Sequence, residues 1–355
     1  MRGGAIPTWE DAATVPGLLR YQSVACGYVG SPLYQYLLDR AATDYEQGGP
    51  TLRVLEGHED DPKDSALALR LMGAVHRLVL TGRAPALAER YADAGGGRDR
   101  TWGAFRQALG DHLDELRPLV DRPVQTNEVG RCAALLPGFL GVAARTGRPL
   151  RLLEVGASAG LNLAWSEYRY EAGSFAWGPL SSALRIEFEL GGGEIPSVPA
   201  TIAERSGCDA SPVDPASEEG RLTLLSYVWP DQTARMERLR AALAITASNP
   251  AQVERSGAVE WTAARLAEPA PGRATVLYHS VVMQYLSEEE RDAFGRIVRE
   301  AGSRAGEDTP LAWLRMEPDG ERAAVRLATW PGGEDRLLAS AGYHGTPVDL
   351  KQPPA

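Results

Sequence analysis

The sequence predicts an α/β protein, with a doubly wound, mostly parallel sheet over residues 149–355 and a helical domain over 1–148. Three observations carry this. Residues 152–155 form a short apolar run of strand type that stops at Gly156, and the small-residue loop to Gly160 opens a helical pattern at Leu161, Leu163 and Trp165. Residues 274–280 form a second continuous apolar run, the type buried in parallel sheets, followed by a polar turn and a new helix. Before Leu152 the periodicity is helical, with no row of short β-runs.

Composition narrows the function classes. A chain of 355 residues, 44% hydrophobic, can fill the core of one large domain or two smaller ones. Its formal charge of -10 argues against the basic face that nucleic acid requires. No apolar run approaches the roughly 18 residues of a membrane span, and no basic-then-apolar leader opens the chain, so a cytoplasmic setting is expected. Cys26, Cys132 and Cys208 are too scattered for a disulfide framework or a metal pair. Lys63 and Lys351 are the only lysines, which removes the P-loop Gly-Lys-Ser/Thr, a Tyr-x-x-x-Lys hydride pair and a pyridoxal Schiff base.

In the N-terminal part, residues 1–20 read as irregular and 32–40 as a helix. Asp64 and Ser65 are placed to cap a helix whose apolar face is Leu67, Leu71, Met72, Val75, Leu78 and Val79, ended by Gly82. A helix over about 101–116 should stop before Pro118, and His76 and His112 read as ordinary helix histidines. In the polar stretch 124–131, Thr126 or Asn127 is a natural N-cap and Glu128 suits a first turn. The same stretch leads toward the glycine-loop strand, and so Asn127, Glu128 and Arg131 are also candidates for substrate contact.

Two chemistries fit Gly156-Ala157-Ser158-Ala159-Gly160. As a nucleotide-type loop it would aim backbone N–H groups at a ligand, with Glu154 meeting a cationic or hydroxyl group. As a Gly-x-Ser-x-Gly elbow it would make Ser158 a nucleophile, with an acid such as Asp319 and with His344 completing a triad. The helical pattern runs on to about Tyr170, and residues 171–220 read as an insertion. Residues 222–229 look like a buried strand, which would put Asp231 at a strand end, where a ribose-binding acid or a helix N-cap belongs. Further strands are expected at 252–255, 311–316 and 324–329 and a last one after His344, with short helices at 259–266 and 336–341. His279 ends the strand 274–280, a position where catalytic side chains collect, although a structural hydrogen bond is the competing role. Ser287 and Glu290 form a capping box for the helix that follows.

These residues carry a resemblance. Glu154-Val155-Gly156 with Gly160, Asp231, and the segment 276–286 with its Ser-Glu-Glu-Glu-Arg helix start resemble class I S-adenosylmethionine-dependent methyltransferases over about 150–350. More specifically, residues 124–131, 153–160, 226–232 and 343–345 look like an uncharacterised bacterial family, a domain of unknown function spanning nearly the whole chain. The methyltransferase resemblance implies a Rossmann-like seven-stranded sheet with its last strand antiparallel, and S-adenosylmethionine as cofactor. It places the methionine moiety over Gly156, Ala157, Ser158 and Gly160, its ammonium near Glu154, the ribose on Asp231, and adenine near Ser256, Gly257 and Ala258, with His279 and Ser280 bordering the cofactor. Ser158 stands where such loops commonly carry a middle glycine, and Gly257 where an acid often meets adenine.

The reading that follows is a methyltransferase acting on a small molecule, with the helical domain and the 171–220 insertion closing over it. His279 is the expected base and Glu128 the second candidate, because in-line transfer requires mainly alignment and proton removal. Asn127, Glu128, Arg131, Asn162 and Tyr285 are the expected substrate contacts. A serine hydrolase at Ser158, or a nucleoside- or partner-binding protein without turnover, are the alternatives.

Overall fold

The computed structural model describes residues 11–62, 65–92 and 97–351. The chain divides into two compact units, Met1–Thr126 with Glu218–Met236, and Asn127–Ser217 with Glu237–Ala355. The helical unit therefore takes 218–236 from the second half of the chain, while residues 127–148 go to the sheet unit. The helices are α1 (Val15–Tyr28), α2 (Pro32–Glu46), α3 (Pro50–Leu55), α4 (Leu67–Leu80), α5 (Pro85–Ala92), α6 (Arg98–Asp111), α7 (Leu113–Val120), α8 (Arg131–Thr146), α9 (Glu218–Ser226), α10 (Thr233–Thr246), α11 (Ala258–Leu266) and α12 (Glu288–Arg304).

In the helical unit, α1 begins at the Thr14 cap inside the segment expected to be irregular. Helix α4 buries Leu67, Leu71, Met72, Val75 and Leu78, the face its spacing predicts. Its start is Ala66 in the left-handed region rather than a side-chain cap; Asp64, like Lys63, lies outside the described residues. The helix expected to stop before Pro118 instead breaks at His112. Pro118 sits inside α7 as its sixth of eight residues, where the missing N–H forfeits a backbone bond and the helix ends two residues later. His76 is buried with Nδ1 on the Ser226 carbonyl at 3.1 Å, and burial lowers its pKa to about 4.

The largest correction in this unit concerns residues 222–229, which are not a strand. Glu218–Ser226 is helix α9, packed on α4. The run is rich in leucine, with Thr223 its only β-branched residue before Val228, and Glu218 and Glu219 favour a helix start. Asp231 consequently sits in a connection between two helices. It accepts hydrogen bonds from Ser31 Oγ at 2.8 Å and from the Leu33 amide at 3.1 Å, securing the start of α2. Ser31 itself caps Tyr34 N at 3.1 Å, and Trp229 packs against the Tyr34 ring at 5.6 Å.

The sheet unit holds strands β1 (Leu150–Val155), β2 (Arg169–Ala172), β3 (Phe175–Trp177), β4 (Arg185–Glu187), β5 (Leu190–Gly191), β6 (Ile202–Asp209), β7 (Gln252–Arg255), β8 (Ala274–Ser280), β9 (Leu311–Asp319), β10 (Arg322–Trp330), β11 (Glu334–Ala341) and β12 (Val348–Leu350). Nine of them form one sheet in the order β5-β12-β11-β10-β9-β8-β1-β6-β7, where seven were expected. From β7 to β9 neighbouring strands run parallel; from β9 to β12 they alternate, and β5 adds parallel to β12. A small sheet β3-β2-β4 occupies the start of the 171–220 segment, but β6, in the same segment, lies beside β1 at the heart of the large sheet. Charged residues hide β6 in the sequence: Glu204 pairs with Arg151 of β1 at 3.3 Å and with Arg273 at 3.1 Å. Residues 336–341, expected as a short helix, belong to β11, where pairing with β10 overrides a Leu- and Ala-rich propensity.

Both faces of the parallel part are covered. Phe139 of α8 stacks on Trp165 at 4.5 Å and meets Tyr278 of β8 edge-on at 5.0 Å. On the opposite face, Phe294 and Val298 of α12 and Trp261 and Leu266 of α11 pack on Leu153, Val155 and Leu277. Successive residues of a strand face opposite sides, which sends Tyr278 toward α8 and His279 toward α12. No described helix is long and apolar enough to cross a membrane.

Candidate functional site

Register decides which residues meet at the strand tips. Val155 of β1 pairs with Cys208 of β6 and His279 of β8, and Cys208 pairs with Glu254 of β7. The glycine loop, Asp209, Ser256 and Ser280 therefore leave the sheet along one edge, the carboxyl edge of its parallel strands.

Gly156, Ser158 and Gly160 have φ of 69°, 52° and 73°, so the loop turns through three left-handed residues, one of which is not glycine. The amides of residues 157–161 are all used within the unit. Ala157 N donates to Cys208 O (3.0 Å), Ser158 N to Asp209 Oδ2 (2.9 Å) and Gly160 N to Ala157 O (2.7 Å). Ala159 N and Leu161 N donate to Asn127 Oδ1, at 3.3 and 3.0 Å. The expectation of outward-facing N–H groups is thus corrected: this loop is not an anion cradle, because its donors have partners. Asn127 does cap, but across the fold. It closes the 3-10 turn Leu161–Glu167, which replaces the longer helix expected there, while α8 starts from Gly130 with no side-chain cap.

Glu154 is 2% exposed. Tyr278 Oη donates to its Oε2 at 3.2 Å, Asn162 also hydrogen-bonds the carboxyl, and Cys132 Sγ donates to Asn162 Oδ1 at 3.3 Å. Burial raises the Glu154 pKa to about 8; the nearby Asp209 charge adds to this, while Tyr278, Asn162 and Arg131 oppose it. Beside it, Arg131 joins two loops, with Nε on Tyr343 O (3.1 Å) and a guanidinium NH on Ser280 O (3.0 Å). Glu128 Oε1 accepts from Gly130 N at 3.0 Å. A Cβ on Gly345 would fall on the Gly130 carbonyl, so these loops touch through backbone.

His279 is fully buried, and both ring nitrogens are engaged. The Trp313 indole N–H can only donate, so His279 Nε2 accepts it at 3.0 Å; Nδ1 then carries the hydrogen given to Glu317 Oε1 at 2.6 Å. This corrects its expected role, since the ring offers no lone pair to a substrate proton. Glu317 also accepts from Val282 N at 3.1 Å and Met283 N at 3.3 Å. Tyr285 ends that turn 53% exposed.

Of the expected cofactor residues, the structure gathers Glu154, Gly156, Ala157, Ser158, Gly160, Ser256, Gly257, Ala258 and Ser280 at the sheet edge. Ser256 N donates to Asp209 O at 3.1 Å, and Gly257 and Ala258 open α11. Asp231 is not among them; it belongs to the helical unit. The acid at a strand end next to the loop is Asp209, whose Oδ1 also accepts from Ser211 N at 2.8 Å. Sequence reasoning passes over Asp209 and Glu317. Strand β6 buries Ser206, Gly207 and Cys208 in succession, and Glu204, Arg205 and Asp209 around them mask it in the sequence. Asp319, the acid of the hydrolase alternative, lies exposed in the β9–β10 hairpin opposite Arg322, whereas a triad acid is buried against its histidine.

Fold and site together define a mixed α/β protein with a glycine loop at the centre of a mainly parallel sheet. The chain belongs to the family described as "uncharacterized protein conserved in bacteria (DUF2332)", whose profile matches residues 18–350. No curated protein and no solved structure matches it.

Proposed function

We propose that the carboxyl edge of the sheet binds S-adenosylmethionine and that the protein transfers its methyl group to a small molecule. The observation that carries this reading is Asp209: a half-buried carboxylate at the end of β6, adjacent to the glycine loop, where a ribose-binding acid belongs in nucleoside-binding α/β folds. Each Asp209 oxygen accepts one amide, from Ser158 or Ser211, and retains acceptor capacity for a ribose hydroxyl. The parallel order β7-β6-β1-β8-β9, with β1 central, supports the same reading. So does Glu154, a buried carboxyl that an ammonium group would convert to its charged form.

In this reading Glu154 holds the ammonium, Asp209 the ribose, and Ser256 and Gly257 flank the base. The cofactor supplies an electrophilic methyl group, and the chain's task is to align the acceptor and take its proton. Glu128 is the proposed base, in place of His279. Arg131, anchored on Tyr343 and Ser280, fixes the neighbouring backbone.

Calorimetric titration with S-adenosylmethionine tests the reading. Because Glu154 is mostly protonated near pH 7, binding should release about one proton, seen as heat that varies with the ionisation enthalpy of the buffer. Absence of binding at millimolar ligand would remove the proposal.

A further inference from the structure

The turn after β8 carries the strongest backbone anomaly of the site. Val281 has φ 58°, a left-handed conformation that is a rare outlier for a β-branched residue. The next residue, Val282, packs a side-chain methyl where a Cβ on Gly156 would lie, which covers that face of the glycine loop. A strained residue persists only where its surroundings over-determine it. Here the Val281 amide itself donates to Met316 O at 2.8 Å, and the rest of the turn is restrained by Glu317, which accepts from Val282 N and Met283 N and is itself held by His279, whose other nitrogen is fixed by Trp313. None of these groups is used by the reaction proposed above.

We infer that Glu317 is a positioning residue that holds Val282 on Gly156 and thereby sets the affinity of the glycine-loop face for a nucleoside ligand. The affinity half of this inference rests on the cofactor reading; the holding half does not. The physical link is competition. A ligand lying against Gly156 has to displace the Val282 methyl, and every contact that keeps the turn down must be loosened for that to happen. Removing such a contact should therefore tighten binding, whereas a residue that merely supports the fold would weaken binding or leave it unchanged when lost. His279 and Trp313 act behind Glu317, since they orient its carboxylate without touching the turn amides. This accounts for a fully buried histidine at a strand tip that has no ring nitrogen available for chemistry.

The test uses the full chain with two substitutions, Glu317→Gln and Val282→Ala, read by amide hydrogen exchange and by calorimetric titration with S-adenosylmethionine. In Glu317→Gln, exchange at Val282 and Met283 should quicken by about tenfold or more while amides of β1 and β8 stay unchanged. Both variants should bind S-adenosylmethionine about tenfold more tightly than the wild type. Unchanged exchange at the two amides would overturn the holding role. Affinities equal to or weaker than wild type in both variants would overturn the link to binding. Faster exchange with no binding by any of the three proteins would uphold the holding role and defeat the cofactor reading instead. Should Glu317→Gln fail to fold, Val282→Ala still decides the link, since it leaves the Glu317–His279 pair in place.

Discussion

Glu154 couples this protein's stability to pH more directly than any other residue at the sheet edge. Its carboxyl is held near pKa 8 in the folded chain, above the ordinary carboxylate range, because burial disfavours the charge more than Tyr278 and Asn162 can offset. An acid with a raised folded pKa binds its proton in the native state where the unfolded chain has released it. Stability should therefore be greatest below about pH 4.5 with respect to this group, fall as pH rises toward 8, and level off above it. The whole loss is on the order of 5 kcal/mol. Glu154→Gln should flatten that slope and leave the variant more stable than wild type at pH 8, as read from urea midpoints between pH 5 and 9. A wild-type midpoint that does not fall across this range would show the carboxylate to be charged in the native protein. The same residue would give a ligand its selectivity for a cation, so gain in stability and loss of binding should travel together in the variant.

At the level of elements, two glycines that look alike in sequence should behave differently. Gly147 ends α8 with φ 62°, and nothing lies within 4 Å of a Cβ built on it. Gly147→Ala pays only for the left-handed backbone, about 1 kcal/mol. Gly345 has φ 92°, and its Cβ would collide with the Gly130 carbonyl, pushing residues 343–345 away from 127–131. Gly345→Ala should cost about 3 kcal/mol or more and disturb the Arg131 bonds to Tyr343 and Ser280, measured by denaturation beside Gly147→Ala. Equal costs would mean that these loops are not in contact. Such pairs also show which parts of the fold were legible. The capping box Ser287–Glu290, the α4 face, and strands β7 to β10 announce themselves through local chemistry, and each is found. Strand β6 and helix α9 do not. Glu204 and Arg205 make β6 look like surface, and the mostly apolar run 222–229 looks like a buried strand, until partners far away in sequence settle both. The glycine loop was recognisable, but its hydrogen bonding was not, because Asn127 and Asp209 reach it from 32 and 51 residues away.

For the whole molecule, the decisive fact is that the chain leaves the sheet unit at residue 217, contributes 218–236 to the helical unit, and returns. Asp231 travels with that excursion, and the acid at a strand end beside the loop is Asp209 instead. Asp231 secures the start of α2 through Ser31 and Leu33, while Asp209 remains beside the glycine loop. Exchanging one carboxylate at a time should separate the tasks cleanly. Asp231→Ala strips a helix start of a charged acceptor and should lower stability by about 1–2 kcal/mol while S-adenosylmethionine affinity stays within about twofold. Asp209→Asn keeps an oxygen for the Ser158 amide, but it turns an NH2 toward the Ser211 amide and loses the charge that would hold a ribose hydroxyl. It should weaken binding about tenfold or more and lower stability by about 1–2 kcal/mol, the cost of the amide left without its acceptor. Affinity lost in Asp231→Ala and kept in Asp209→Asn would reverse the assignment and move the nucleoside site out of the sheet unit. Only loss confined to Asp209→Asn fits a site built on the sheet alone.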